Sequence, residues 1–166
     1  MNHKHIVFRV FAILAFLMML IVSTTTSVQA QEQVEEKSLY ERLGGVYSIA
    51  AVVDDFIERL LVNDILNANP AIKEARDRVP KAGLKFRVTE LVCQVTGGPE
   101  KYNGRTMKDA HKHLNITEGE WDAMVADFKK TLDKFGVPEK DQNELFLIIG
   151  STKGDIVMSS TTSKMQ

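Results

Sequence analysis

From residue 47 to residue 62 the apolar positions Ile49, Val52, Val53, Phe56, Ile57, Leu60 and Leu61 recur every three or four residues, so one face of a helix collects them all. Gly44-Gly45 precedes this stretch and separates it from a short helical start over 38–43. After Val62 the periodicity breaks at Asn63-Asp64, Asn67-Ala68-Asn69-Pro70 and Val79-Pro80. That predicts a connector holding one short helix across 71–78, between the two prolines. A second amphipathic helix is predicted over 81–95, with Leu84, Val88, Leu91, Val92 and Val95 on one face. Thr96-Gly97-Gly98-Pro99 stops it, and a polar loop through Tyr102, Asn103 and Gly104 follows. A shorter helix over 106–113 carries Met107, Ala110, His111 and Leu114 on one stripe. Thr117-x-x-Glu120 is a capping-box signature, and the helix it opens shows Trp121, Met124, Val125, Phe128, Leu132 and Phe135 at helical spacing. Gly136-Val137-Pro138 ends that helix and starts the last, which runs to about residue 158 even though Gly150 and Gly154 each cost about 1 kcal/mol relative to alanine. No stretch alternates with the period of a strand. The pattern predicts one all-α domain of about six helices.

The two ends depart from this pattern. Lys4 and Arg9 make a positive start, an apolar run of 13 residues spans 10–22, and Ser23-Thr24-Thr25-Thr26-Ser27 leads to Val28-Gln29-Ala30. That order is the grammar of a secretory signal peptide, with cleavage expected after Ala30. The run is short of the roughly 20 residues that cross a bilayer as a helix, so no stable membrane anchor is expected after cleavage. The chain therefore divides into a signal peptide at 1–30, a polar linker at 31–37, a helical domain at 38–158 and a polar tail at 159–166, expected to be disordered. Export implies the periplasm where the cell has an outer membrane, and the outside face otherwise.

Without its signal the chain carries 19 Lys and Arg against 22 Asp and Glu, a formal charge of −3. No basic excess remains to suggest nucleic acid. Cys93 is the only cysteine, so no internal disulfide forms even in an oxidising compartment. It lies off the main apolar stripe of its helix and reads as a small buried hydrophobe rather than a reactive thiol. Asp54, Asp55 and Glu58 read as a solvated face rather than a catalytic carboxylate pair.

His3 and His5 leave with the signal, so His111 and His113 are the two histidines that bear on any metal argument. His111 shares an apolar stripe with Met107 and Leu114, where a ring nitrogen can be presented to a buried metal while its neighbours exclude water. A core or boundary histidine bonded to a carbonyl fits the same position. His113 lies about 200° further round the helix and points to solvent, so the pair does not chelate a structural zinc ion.

Resemblance gives His111 a sharper meaning. The stretch Leu39-Tyr40-Glu41-Arg42-Leu43-Gly44-Gly45, then Val52-Val53-Asp54-Asp55-Phe56, resembles the opening of bacterial group I truncated haemoglobins. Gly97-Gly98-Pro99-Glu100-Lys101-Tyr102-Asn103-Gly104-Arg105, followed by Met107-Lys108-x-Ala110-His111, is similar to their middle, and Gly136-Val137-Pro138 with Asp155-Ile156-Val157 to their close. The likeness spans about 38–157. It implies a two-over-two helical sandwich, and a haem whose iron is held by His111. Met107, Ile116, Trp121 and Met124 would line the proximal side of that haem. A single cysteine excludes a CxxCH attachment, so the haem would be haem b, bound without a covalent link.

The departures from the family fall on the distal side. Ile57 stands where group I members usually carry a tyrosine that donates a hydrogen bond to oxygen. Leu84 and Val88 stand where glutamine is frequent, counting back from Gly97-Gly98. The usual Phe-Phe pair is replaced near Asn69-Pro70, the segment between the double glycines is several residues longer, and Arg87 or Lys85 is within reach of the haem edge or a propionate. The expected function is an exported haem protein binding diatomic gas (O2, NO or CO), with oxygen carriage or nitric-oxide detoxification as its physiological forms. Dioxygenase-type turnover would require an external reductant. Two other readings stand beside it: a gas sensor or haem-relay module acting through a partner protein, and a globin-fold scaffold that has lost haem.

Overall fold

Ser38 starts the first helix with a side chain that accepts from Glu41 N while the Glu41 carboxylate accepts from Ser38 N, a complete capping box. The computed structural model describes residues 36–158; the signal peptide expected at 1–30, residues 31–35 of the expected linker and the tail expected at 159–166 lie outside the described residues. Eight helices follow one another there: α1 (Leu39–Arg42), α2 (Gly45–Val62), α3 (Asp64–Asn67), α4 (Pro70–Arg78), α5 (Lys81–Val95), α6 (Met107–His111), α7 (Glu118–Lys134) and α8 (Glu139–Ile156). The only pairing of strand type among the described residues is an isolated bridge, where Met158 N donates to Ile116 O at 2.9 Å. No helix among the described residues is long and apolar enough to cross a membrane.

Two pairs of helices make the sandwich. α2 packs on α5, α7 packs on α8, and α2 also packs across α7. The stripe of α2 splits between two cores. Ile49, Val53 and Ile57 are buried with Cys93 of α5, while Val52 and Phe56 lean on Leu39, Phe128, Leu132 and Leu145. Phe56, Phe128 and Phe146 meet edge to face, with ring centroids 5.1 and 5.7 Å apart, and so tie α2, α7 and α8 together. Arg42 clamps α1 to α8 through Asp141 at 2.8 Å and Glu144 at 2.6 Å.

The turn after α5 shows why two glycines are needed together. Gly97 has φ +93°, a left-handed conformation that a side chain disfavours. At Gly98 a Cβ would lie 2.5 Å from the Tyr40 ring, so only glycine lets the backbone pass there. Tyr40 N donates to Thr96 O at 2.8 Å, fastening α1 to the end of α5.

Four expectations need correction. The connector holds two helices, not one, because Asn63 and Asn69 are caps rather than breakers: each Oδ1 accepts from two backbone amides, and Pro70 occupies the first turn of α4. The helix expected over 106–113 is confined to Met107–His111, with Thr106 as its cap. Cys93 is the small buried hydrophobe expected, but it lies on the inward face of α5 rather than off it, among Ile49, Val53 and Ile57. Asp55 does not belong to a solvated face. Its carboxylate takes Arg59 at 2.7 Å, Thr131 Oγ1 at 3.0 Å and the Lys134 ammonium, pinning α2 to α7.

Candidate functional site

Between the helix pairs lies a cleft of about 1690 Å³, well above the roughly 300–1,000 Å³ of an ordinary small-molecule site. All eight residues singled out in the sequence line it. α2 and α5 contribute Ile57, Leu84 and Val88; α6, the turn after it and α7 contribute Met107, His111, Ile116, Trp121 and Met124. Ile57, Ile116 and Trp121 are buried, and the other five are half-buried.

Trp121 and Met124 are placed by the start of α7, where Thr117 Oγ1 accepts from Glu120 N and Thr117 N donates to Glu120 Oε2 at 2.7 Å. This is the capping box that the spacing Thr117-x-x-Glu120 announces. Ile116 is held from the far end of the chain by its carbonyl's bond from Met158 N.

The His111 ring is oriented by its own helix. Nδ1 lies 2.8 Å from Met107 O, and a carbonyl can only accept, so Nδ1 carries the proton. In the neutral ring Nε2 then keeps its lone pair, on a side chain that lines the cleft. A carbonyl partner of this kind fixes the tautomer and direction of an imidazole ligand. Among the described residues no group of three His, Cys, Asp or Glu side chains could hold a metal ion. A lone, oriented imidazole in an apolar cleft therefore suits a metal that arrives with its other ligands already in a flat organic ring. His113, on the turn after α6, is exposed.

Of the two cations expected near the site, one is there. Arg87 lines the cleft and donates to Glu90 at 2.8 Å and to Asn103. Lys85 does not line it. Its ammonium is held between Asp54 and Glu58 on α2, which raise its pKa above the ordinary lysine value. Cys93 is screened by burial, with a carboxylate, Glu100, adding to the effect, and its thiol is pushed up to about 11. That thiol is not a nucleophile at neutral pH.

Two residues that the sequence reading passed over belong to the site region. Asn69 donates Nδ2 to Leu114 O at 2.9 Å, joining the connector to the turn after α6. Arg76 lines the cleft from α4, half-buried, and donates to the carbonyls of Leu60 and Leu61 at the end of α2. A signal for it was available. Ile72, Ala75, Arg76 and Val79 share one stripe at helical spacing, and an arginine on an apolar stripe marks a cation turned inward.

Comparison with known proteins adds to this geometry. Residues 38–158 match the family described as bacterial-like globin. A group 1 truncated hemoglobin, GlbN, of a Synechocystis species is 34% identical over 118 residues, covering 69% of this chain and 90% of that protein. The group 1 truncated hemoglobin of Tetrahymena pyriformis is 27% identical over 121 residues, covering 73% and 95%. The crystal structure of the truncated hemoglobin from Tetrahymena pyriformis in its Fe(III) form superposes with a TM-score of 0.65, at 26% identity, over 74% of this chain and all of that one.

Proposed function

The chain belongs to the bacterial-like globin family, and from that premise we propose that it is an exported haem b protein binding diatomic gas at an iron held by His111. The residues fit the group. A cleft of about 1690 Å³ with mostly apolar walls can receive a flat macrocycle, and one imidazole in it has its tautomer set by a carbonyl. The observation that carries the reading is that bond, Nδ1 of His111 to Met107 O at 2.8 Å, because it leaves Nε2 as a metal ligand. Haem, when bound, supplies an iron with one coordination position for a gas ligand.

The remaining side chains divide the work. Met107, Ile116, Trp121 and Met124 pack around the His111 side and exclude water there. Ile57, Leu84 and Val88 offer the other side no proton. A charge-assisted hydrogen bond is worth about 1.5–3 kcal/mol, and oxygen depends on such a bond more than NO or CO does. Oxygen is therefore held less firmly here than in relatives with a distal tyrosine, and NO and CO are relatively favoured. Turnover of nitric oxide with oxygen would need an external reductant and an oxygen-activating donor, which these three positions do not supply. His113 is exposed, which favours a five-coordinate ferrous form over a bis-histidyl one. Localisation follows from the order of charged, apolar and small residues at 1–30: the periplasm, or the outside face of a cell with a single membrane.

The test is the visible spectrum of residues 31–166 supplied with haem, in ferric, reduced and CO-bound states, beside His111→Ala. A stoichiometric Soret band with a five-coordinate ferrous form, lost or altered in the variant, is expected. An intact helical fold without specific haem uptake would mean that the scaffold alone has been kept.

A further inference from the structure

Most cations on the cleft wall hold a carboxylate. Arg42 is paired with Asp141, Lys81 with Glu58 at 2.9 Å and Arg87 with Glu90 at 2.8 Å, while Arg105 is exposed to water. Arg76 differs from all of these. It is half-buried, and no carboxylate lies within ion-pair distance of it among the described residues. Leu60, Leu61, Leu66, Ile72 and Val79 line the same cleft. Nη1 donates to Leu61 O at 3.1 Å and Nη2 to Leu60 O at 2.5 Å, so the guanidinium hangs from the negative end of α2. Two bonds leave three of its five N–H groups to be satisfied. Burial lowers its pKa from the ordinary arginine value, with nothing acidic beside it to offset the effect.

A half-buried cation without a counter-charge is costly, and it attracts negative charge more strongly than one in water would. The carbonyls that hold it belong to Leu60 and Leu61, one helical turn beyond Ile57 on the same helix. We propose that Arg76 makes the Ile57 side of the cleft a subsite for small anions, so that anionic ligands are held there in preference to neutral ones. This rests on the haem reading and deepens it. Ile57, Leu84 and Val88 supply no donor, and the positive charge enters from the inserted helix α4 at the side. CO gains little charge on binding, so it offers Arg76 little to hold and its binding remains governed by the apolar residues.

The experiment is a spectral titration of the haem-loaded ferric protein with azide, an anion, and with imidazole, a neutral ligand, in wild type, Arg76→Gln and Arg76→Lys. Glutamine keeps an amide donor on a shorter side chain and removes the charge; lysine keeps the charge. The azide Kd is expected to rise about tenfold in Arg76→Gln, with the imidazole Kd unchanged and Arg76→Lys close to wild type. Added salt should weaken azide binding in wild type more than in Arg76→Gln. Equal changes for azide and imidazole, or no change for either, would overturn the proposal and leave Arg76 as a cap on α2. A His111-dependent Soret band recorded first separates the two failures. Its absence overturns the haem reading and this subsite together, whereas a normal band with an unaltered azide Kd overturns the subsite alone.

Discussion

The two walls of the cleft are built on different terms. The wall from α6 and α7 is oriented by hydrogen bonds: His111 by Met107 O, the start of α7 by Thr117 and Glu120, and Ile116 by the far end of the chain. On the wall from α2 and α5 the three residues Ile57, Leu84 and Val88 carry no polar side-chain atom, and packing around Cys93, Ile49 and Val53 fixes them. A wall that must hold a ligating atom in one direction needs directional bonds. A wall that only excludes water needs shape, and its residues are free to change as long as they stay apolar. The departures from the group I pattern all fall on the second wall and on the connector leading to it.

The sharpest way to break this comparison is at Trp121, which is 5% exposed and serves both the cleft and the core. Trp121→Ala should lower folding stability by roughly 3–5 kcal/mol, whereas Val88→Ala, at a half-buried position, should cost less than about 1.5 kcal/mol. Urea unfolding of both variants checks this. Equal losses would mean that the two walls carry the same structural weight.

A second change tests the chemistry of the apolar wall. Ile57→Tyr places a phenol where the wall has no donor, inside a cleft with room for it. The oxygen off-rate of the haem-loaded variant should fall roughly 10–100-fold, the equivalent of one charge-assisted hydrogen bond, with the CO off-rate much less affected. Flash photolysis or stopped-flow mixing reads both. An unchanged oxygen off-rate would show that the apolar wall does not set oxygen retention.

How far the sequence could be read follows the same division. Helical period placed the stripes of α2, α5 and α7, because each is long enough for spacing to repeat several times. The Thr117 and Glu120 spacing announced the start of α7, since a capping box is a local device complete within four residues. The connector was harder. Asn63 and Asn69 look alike as breakers and as caps until the amides they receive are seen, and α3 is a single turn with no period to detect. Lys85 and Arg87 are neighbours in sequence, and only the position of Asp54 and Glu58 on α2 decides which of them turns to the cleft. The side of α5 that Cys93 takes and the pairing of Asp55 are likewise properties of which helix lies opposite.

Asp55 supplies a prediction on the joint between α2 and α7. Its carboxyl is lowered from an ordinary 3.8 to about 2, first by the Lys134 ammonium and also by Arg59 and Thr131, against the opposing effect of burial. Between those values the unfolded chain binds the proton and the folded one does not, so stability rises with pH there. The contribution is present above about pH 4 and lost as pH falls through 2; it is on the order of 1–2 kcal/mol. Asp55→Asn should remove it, flattening the acid limb of a stability–pH curve measured by chemical unfolding. A limb that keeps its slope in the variant would assign acid lability to other carboxylates, such as Asp133, which Lys129 lowers.

The smallest effect is expected at Thr117, and it separates orientation from stability. Thr117→Ala removes the hydroxyl that accepts from Glu120 N at 3.3 Å, but leaves Thr117's backbone amide donating to Glu120 Oε2. Half of the capping box survives, so the cost should be about 1 kcal/mol. His111 takes its direction from Met107 O, within its own helix, and not from the start of α7. The Soret maximum and the ferrous five-coordinate spectrum of Thr117→Ala should therefore match wild type while its unfolding midpoint falls. A spectrum that shifts along with the midpoint would mean that the cap of α7 also sets the imidazole, and that the hydrogen-bonded wall acts as one unit rather than as two independently fixed helices.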